Sequence, residues 1–312
     1  MFPPLLTAHF KKILGKSENE IKNIFSSTRM SSFRINTIKQ KQEFVLDEMK
    51  NRGIKVMAFK SIPHIYTFDS NDTYNLRGSQ SFRQGYIYLQ SISSILPIFA
   101  FEKTSKKILD TCAAPGGKTT GISAYIGENA KIIAIEKNQI RFSRMLRNIK
   151  LQGAKNIKTL NMDALKFFEK NTQKFDAILI DAPCSGEGTF SLKNPRSYAH
   201  WSREFIEKKA HLQAKLLQNA SNHLESGGYI IYSTCTLNPK ENEAIISEFL
   251  EKNPGFSLET MEKIEAFLGE DLHHGIPRFE GEVFHTDISK AIRLIPSEYF
   301  EGFFIAKIRK GL

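Results

Sequence analysis

The sequence predicts an α/β protein: a doubly wound, mostly parallel sheet of about seven strands, preceded by a smaller basic N-terminal α/β domain. Three observations predict it. From residue 106 onward, short apolar runs alternate with helical patterns. Two segments, Asp181-Ala182-Pro183-Cys184-Ser185-Gly186 and Ser233-Thr234-Cys235-Thr236, each follow an apolar run that reads as a buried strand. The first 90 residues carry 14 Lys and Arg against 7 Asp and Glu, whereas the remaining 222 carry 30 against 26.

In chain order, the pattern gives a helix over 5–14 and a second over 17–26. The alternating stretch Ser32-Phe33-Arg34-Ile35-Asn36-Thr37 reads as a strand, and a helix over 41–52 stops at Gly53. Residues 61–90 read as polar turns plus the aromatic run Tyr86-Ile87-Tyr88, and an apolar helix begins near Ser91. This divides the chain into an N-terminal domain, 1–90, and a second domain, 91–312. In the latter, strands are expected at 107–111, 131–135, 157–161, 175–180 and 228–233, with late strands at 291–295 and 302–308. Helices are expected over 139–152 and 203–225, and 269–287 reads as a long surface loop.

Bulk properties narrow the class. A 41% hydrophobic and 25% charged composition is that of an ordinary globular protein. The start, Met1-Phe2-Pro3-Pro4-Leu5-Leu6, lacks the pattern of a secretory signal, and the apolar stretch 87–101 is too short and too polar to span a bilayer. Three cysteines without close pairing give neither a disulfide framework nor a metal signature, which points to a reducing cytoplasm. The net charge of +11, concentrated near the N-terminus, is the footprint of a polyanion binder.

The chemistry sits at predicted strand ends, where open α/β sheets bind ligands. The first strand runs into Asp110-Thr111-Cys112-Ala113-Ala114-Pro115-Gly116-Gly117-Lys118-Thr119-Thr120. Small residues and two glycines let backbone approach a ligand as a helix starts and offers free N–H groups. A Walker A loop is excluded because its first glycine position is Cys112, and the GxGxxG dinucleotide pattern is absent. A nucleoside-bearing ligand without polyphosphate remains, and S-adenosylmethionine fits that description. Glu136 ends the second strand, about 20 residues on, suited to ribose hydroxyls. Asp163 follows the third strand, suited to an adenine amino group. Amino-group methyltransferases place an aromatic residue where this chain has Cys184. A thiol there suits C5 of a pyrimidine, a poor nucleophile until a thiolate adds to C6.

The segments DTCAAPGGKT, DAPCSGEGT and STCTLNPKENE, in that order, resemble the NSUN/RsmB family of RNA 5-methylcytosine methyltransferases. Arg34-Ile35-Asn36, the stretch Gly85 to Gln90 and the ending Gly302-Phe303-Phe304-Ile305-Ala306 extend the resemblance from Phe33 to Lys310. It implies a Rossmann-like methyltransferase fold and an S-adenosylmethionine-dependent enzyme acting on ribosomal or transfer RNA through a covalent adduct. It implies a cofactor loop at Cys112, Ala113, Ala114, Pro115, Gly116, Gly117 and Lys118, a ribose acid at Glu136, an arginine at Arg141 and an adenine-side acid at Asp163. Asp181 would face both cofactor and base, and Lys118 would join it on the cytosine. The family places its nucleophile at Cys235 and a product-release thiol at Cys184. No metal is implied; the partner is structured RNA, no membrane is involved, and a monomer is favoured. DNA cytosine-C5 methyltransferases attack with the thiol equivalent to Cys184, so DNA remains an alternative substrate; a non-catalytic RNA-binding assembly factor is another. Ser91, and the ending 295–301 without the family's usual His and Asp, depart from the pattern at the rim of the site.

Overall fold

The structure, a computed structural model, describes residues 2–60 and 62–312; Met1, in the opening segment, and Ser61, at the head of the stretch read as turns, lie outside it. Pro4–Leu14 and Glu18–Ser26 are helices separated by Gly15, whose φ of +63° closes the first. Ser17 and Glu20 form a reciprocal capping box that starts the second. Phe2, Leu6, Phe10, Ile21 and Phe25 are buried together with Phe190 and Leu237, which flank the two cysteine segments.

The small sheet comprises β1 (Ser31–Ile35), β2 (Val56–Ala58), β3 (Ile65–Phe68) and β4 (Ile87–Leu89) in the antiparallel order β2-β3-β1-β4. The sequence reading missed β2 and β3. The former is three residues long, and the latter is buried at every position, so neither shows alternation. Two short helices, Thr73–Arg77 and Gln80–Arg83, occupy much of the remaining stretch expected to be turns. The apolar helix near Ser91 is one turn, Ile92–Ile95, continued as a 3₁₀ segment, Leu96–Ala100, where Pro97 interrupts α-helical bonding.

The large sheet holds β5 (Lys107–Asp110), β6 (Lys131–Ile135), β7 (Ile157–Leu160), β8 (Phe175–Asp181), β9 (Leu224–Thr234), β10 (Phe256–Glu259) and β11 (His273–His274). A two-stranded hairpin, β12 (Arg278–Phe279) with β13 (Glu282–Val283), stands apart; β14 (Ile292–Leu294) and β15 (Phe303–Lys310) complete the sheet. Its order is β11-β14-β15-β9-β8-β5-β6-β7, with β10 also on β15. The run β9-β8-β5-β6-β7 is parallel and β15, β14, β11 and β10 pair antiparallel. The seven expected strands are all present, and β10 and β11 make nine.

Two expectations need correction. The helix expected over 203–225 ends at Ser221, because Leu224 joins the sheet opposite Phe175. The stretch 269–287 is not structureless: β11 pairs with β14, and Glu280 and Gly281, both at positive φ, turn the β12–β13 hairpin. Two apolar clusters cover the large sheet, one including Leu216, Leu217, Ile246 and Phe249, the other Ile95, Ile98, Ile122 and Ile264. Among the described residues no helix is long and apolar enough to cross a membrane.

Candidate active site

Strand order reverses between β5 and β8: the chain passes from β5 outward to β6 and β7, then returns to the other side of β5. The loops leaving the carboxyl ends of β5 and β8 therefore diverge and leave a crevice. Asp110–Gly116 forms one wall and Asp181–Gly186 the other. Register places Asp181 opposite Ser233 on β9, so both cysteine segments emerge side by side.

The first wall leads into the helix Gly117–Ile126. Gly116 has φ of +98°, a conformation that disfavours any side chain. At Gly117 an added Cβ would lie 2.8 Å from the Tyr88 ring and 3.2 Å from the Gln90 amide. Tyr88, Gln90, Ser94, Asp110, Ala114 and Asp181 line a cavity over this turn. Asp110 is fully buried; Thr119 Oγ1 donates to its Oδ2 at 2.7 Å, and its Oδ1 has no protein partner. Burial raises its pKa to about 7. Burial likewise pushes the Cys112 thiol up to about 12, so this sulfur stays protonated.

An adjoining cavity is lined by Thr111, Glu136, Arg141, Met162, Asp163 and Pro183, among others. Asn138 N–H donates to Glu136 Oε1 at 2.8 Å, while Arg141 Nη1 stands 3.4 Å from Oε2. Arg141 Nη2 also donates to Ala114 O at 2.7 Å, which clips the glycine loop to the acid on the next strand. Asp163 Oδ1 accepts from Leu165 N–H at the start of its helix, and Lys137 Nζ lies 3.5 Å from Oδ2.

At the crevice itself Cys184 Sγ and Cys235 Sγ are 3.2 Å apart. The residues after each thiol also meet, since the Ser185 and Thr236 hydroxyls are 2.8 Å apart. Gly188 N–H donates to Cys235 O at 3.0 Å. The tail of the second segment locks both loops. Glu241 accepts from Ser185 N–H at 2.8 Å, from the Ser185 hydroxyl, and from Gln213 Nε2 at 3.0 Å. Asn242 accepts from Thr234 Oγ1 at 2.6 Å and donates to Thr236 O at 3.1 Å. The hydrogen bond with Cys235, and then burial, hold the Cys184 pKa well above the ordinary thiol range. Either sulfur can be the donor across this contact.

Lys118 and Asp181 span the crevice. Lys118 Nζ is 2.8 Å from Asp181 Oδ2, donates to Ser94 Oγ at 2.7 Å and lies over the Phe303 ring at 5.4 Å. Ser233 Oγ donates to Asp181 Oδ1 at 2.9 Å. The carboxylate is thus fixed at both oxygens. Ser94, Phe303, Asp110 and Glu241 were not singled out from sequence. Glu241 lay within a quoted motif, but its role as the tie between thiol loops depends on a fold contact.

Burial raises the Glu241 pKa to about 7. A carboxyl with a raised folded-state pKa binds more protons folded than unfolded, so its contribution to stability falls as pH rises from about 4.5 to about 7. Glu241→Gln keeps one oxygen to accept from Ser185 N–H and Gln213 Nε2, turns the other position into a donor toward the Ser185 hydroxyl, and removes the ionisation. Its melting temperature should decline less over that interval than the wild type's, as read by thermal melts across pH. Asp110 leaves a residual slope in both proteins.

A family model described as 16S rRNA methyltransferase RsmB/F matches residues 99–309. Ribosomal RNA small subunit methyltransferase F of Erwinia tasmaniensis is 29% identical over 319 residues, covering 99% of this chain and 63% of that protein. The protein of the same name from Aeromonas salmonicida is 32% identical over 294 residues, covering 89% of this chain and 57% of its own length. The chain thus spans less than two thirds of these relatives. The crystal structure of NSun6 from Pyrococcus horikoshii with SFG superposes with a TM-score of 0.81 at 25% identity, covering 99% of this chain and 98% of that one.

Proposed function

The chain belongs to the RsmB/F methyltransferase family, and on that premise we propose that it methylates C5 of a cytidine in structured RNA, with small-subunit ribosomal RNA as the substrate. The observation that carries this reading is the pair of thiols 3.2 Å apart, beside the Lys118–Asp181 pair and the glycine loop.

S-adenosylmethionine suits the two cavities. A Cβ at Gly117 would overlap Tyr88 and Gln90, which line the first cavity, so their placement there depends on the glycine; Asp110 in that cavity has an unpartnered carboxyl oxygen, and Glu136 lines the second, placed for ribose hydroxyls. When bound it supplies an electrophilic methyl on sulfonium. Gly117→Ala should weaken S-adenosylmethionine binding about tenfold or more through that overlap, measured by calorimetry. Unchanged affinity would put the cofactor elsewhere.

The residues then divide the work. Cys235 attacks C6 of a cytosine splayed from its stack, and the ring electrons make C5 nucleophilic. Lys118, paired with Asp181, supplies the positive charge and, through Asp181, the proton that N3 takes up as negative charge builds on the ring. After methyl transfer a base, water or hydroxide from solvent, takes the proton from C5, the C–H electrons reform the C5–C6 double bond, and the C6–S bond breaks with its electrons returning to Cys235. The Cys184 S–H, already within hydrogen-bonding distance, stabilises the departing thiolate. Residues 1–90 engage RNA and residues 91–312 perform the transfer, in a cytoplasmic monomer whose surroundings keep thiols reduced.

The test is incorporation of tritiated methyl into a 16S rRNA transcript and a DNA copy of it, with the product nucleoside identified by mass spectrometry. The proposal expects 5-methylcytidine from RNA alone. Label in DNA would transfer the attacking role to Cys184, and label in neither would leave the fold as a binding scaffold.

A further inference from the structure

One cation beside the Cys235 loop is not used by the chemistry above. Arg29 enters from the segment between the helix Glu18–Ser26 and β1. Among the described residues its guanidinium makes one hydrogen bond, Nη2 to Gly188 O at 3.5 Å, and no ion pair. Its Nε is buried without a partner. The carbonyl it approaches belongs to the catalytic framework: Gly188 N–H binds Cys235 O at 3.0 Å, and Gly302 N–H binds Gly188 O at 3.0 Å. Phe303, the ring beneath Lys118, comes next in the chain.

The acid in this neighbourhood is Glu301, and it is engaged elsewhere. Ser91 Oγ donates to its Oε2 at 2.7 Å, and Ser93 Oγ donates to its backbone carbonyl at 3.0 Å. These are the two positions, Ser91 and the 295–301 ending, where the chain departs from the family pattern. Here they pair with each other, so Glu301 acts on the guanidinium through its charge and not through a direct ion pair. Met30 N–H binds Glu298 O at 2.9 Å, so the arginine's backbone is tethered to that same ending.

Arg34 offers a contrast. Its Nε and Nη1 also lack partners, but it is sealed inside, 5.9 Å from the Tyr88 ring centre and bonded to Thr120 Oγ1 at 3.3 Å. Arg29 is only partly buried and lies against Gly188, whose N–H binds the Cys235 carbonyl. A partly desolvated guanidinium with an unfilled donor is relieved by an anion that accepts its planar donor fork.

We propose that Arg29 is a phosphate clamp, binding the phosphodiester that adjoins the target cytidine and so fixing the strand over the thiol pair. The assignment rests on the RNA reading above. It makes Arg29 a binding residue contributed by the N-terminal segment to the catalytic mouth.

The experiment compares wild type, Arg29→Gln and Arg29→Lys on a 16S rRNA transcript, measuring KM and kcat from about 50 to 200 mM salt, with S-adenosylmethionine affinity and melting temperature alongside. Arg29→Gln should raise KM for RNA about tenfold and lower the slope of log affinity against log salt by about one. Its kcat should stay within about twofold, with cofactor affinity and melting unchanged. Arg29→Lys should keep the salt slope, because it retains the charge, while losing the fork. An unchanged KM and slope in Arg29→Gln, or a loss confined to kcat or to melting temperature, would overturn the clamp and leave Arg29 a prop for Gly188. A wild type without salt-dependent affinity for the transcript would overturn the RNA reading itself.

Discussion

Cys235→Ala should abolish methyl transfer, lowering turnover by at least about a thousandfold, while RNA and S-adenosylmethionine still bind. The size follows from the substrate. C5 of cytosine has little nucleophilicity until C6 carries a covalent substituent, and positioning alone does not supply one. The fold should survive the change. Cys235 follows β9, and the hydrogen bonds that hold its loop run through Thr234, Thr236, Asn242 and its own carbonyl, all independent of the sulfur. Single-turnover assays with tritiated cofactor, paired with filter binding of the transcript, separate chemistry from binding. Retained turnover would remove Cys235 from the nucleophile's role.

Cys184→Ala should produce a different defect. The variant should attack and methylate, then stall, so that an RNA–protein species resistant to denaturing gels accumulates in proportion to enzyme. Geometry sets this expectation, because the Cys184 sulfur lies 3.2 Å from the sulfur that leaves C6, within reach to donate to it. Its pKa lies well above the ordinary range, first because of the hydrogen bond with Cys235 and then because of burial, so it arrives at the elimination step still protonated. Removing that donor should slow release about a hundredfold or more, the usual scale for losing a positioned proton donor. Normal product release at the wild-type rate would show that Cys184 serves packing alone.

The candidate site was legible where it is contiguous. Cys112 to Lys118, Asp181 to Gly186 and Ser233 to Glu243 each carry their chemistry in a single stretch, and the apolar runs before them identify strand ends. The expected spans for β6 and the helix 139–152 agree with the observed ones because both patterns are strong and the helix is bounded by Asn138 and Gly153. What escaped depends on distant partners. Nothing near Ser94 reveals that it meets Lys118, and nothing near Glu301 reveals that Ser91 takes its carboxylate. Gly85 reads as a turn, yet a Cβ there would fall 2.3 Å from Leu151 O, so it also permits a close backbone approach. Asn36 bridges the same seam, donating to Gly85 O at 2.8 Å and Gln152 O at 2.7 Å. β11 was missed because two residues give too little pattern to count.

The central claim is that the Cys235 sulfur forms the bond to the pyrimidine. Wild-type protein should be incubated with S-adenosylmethionine and an RNA substrate containing 5-azacytidine, whose ring nitrogen at position 5 carries no proton to lose and so holds the adduct. Digestion and mass spectrometry then locate the modified peptide. The account predicts nucleotide mass on the peptide containing Cys235 and none on Cys184; nucleotide mass on Cys184, with Cys235 unmodified, would contradict it.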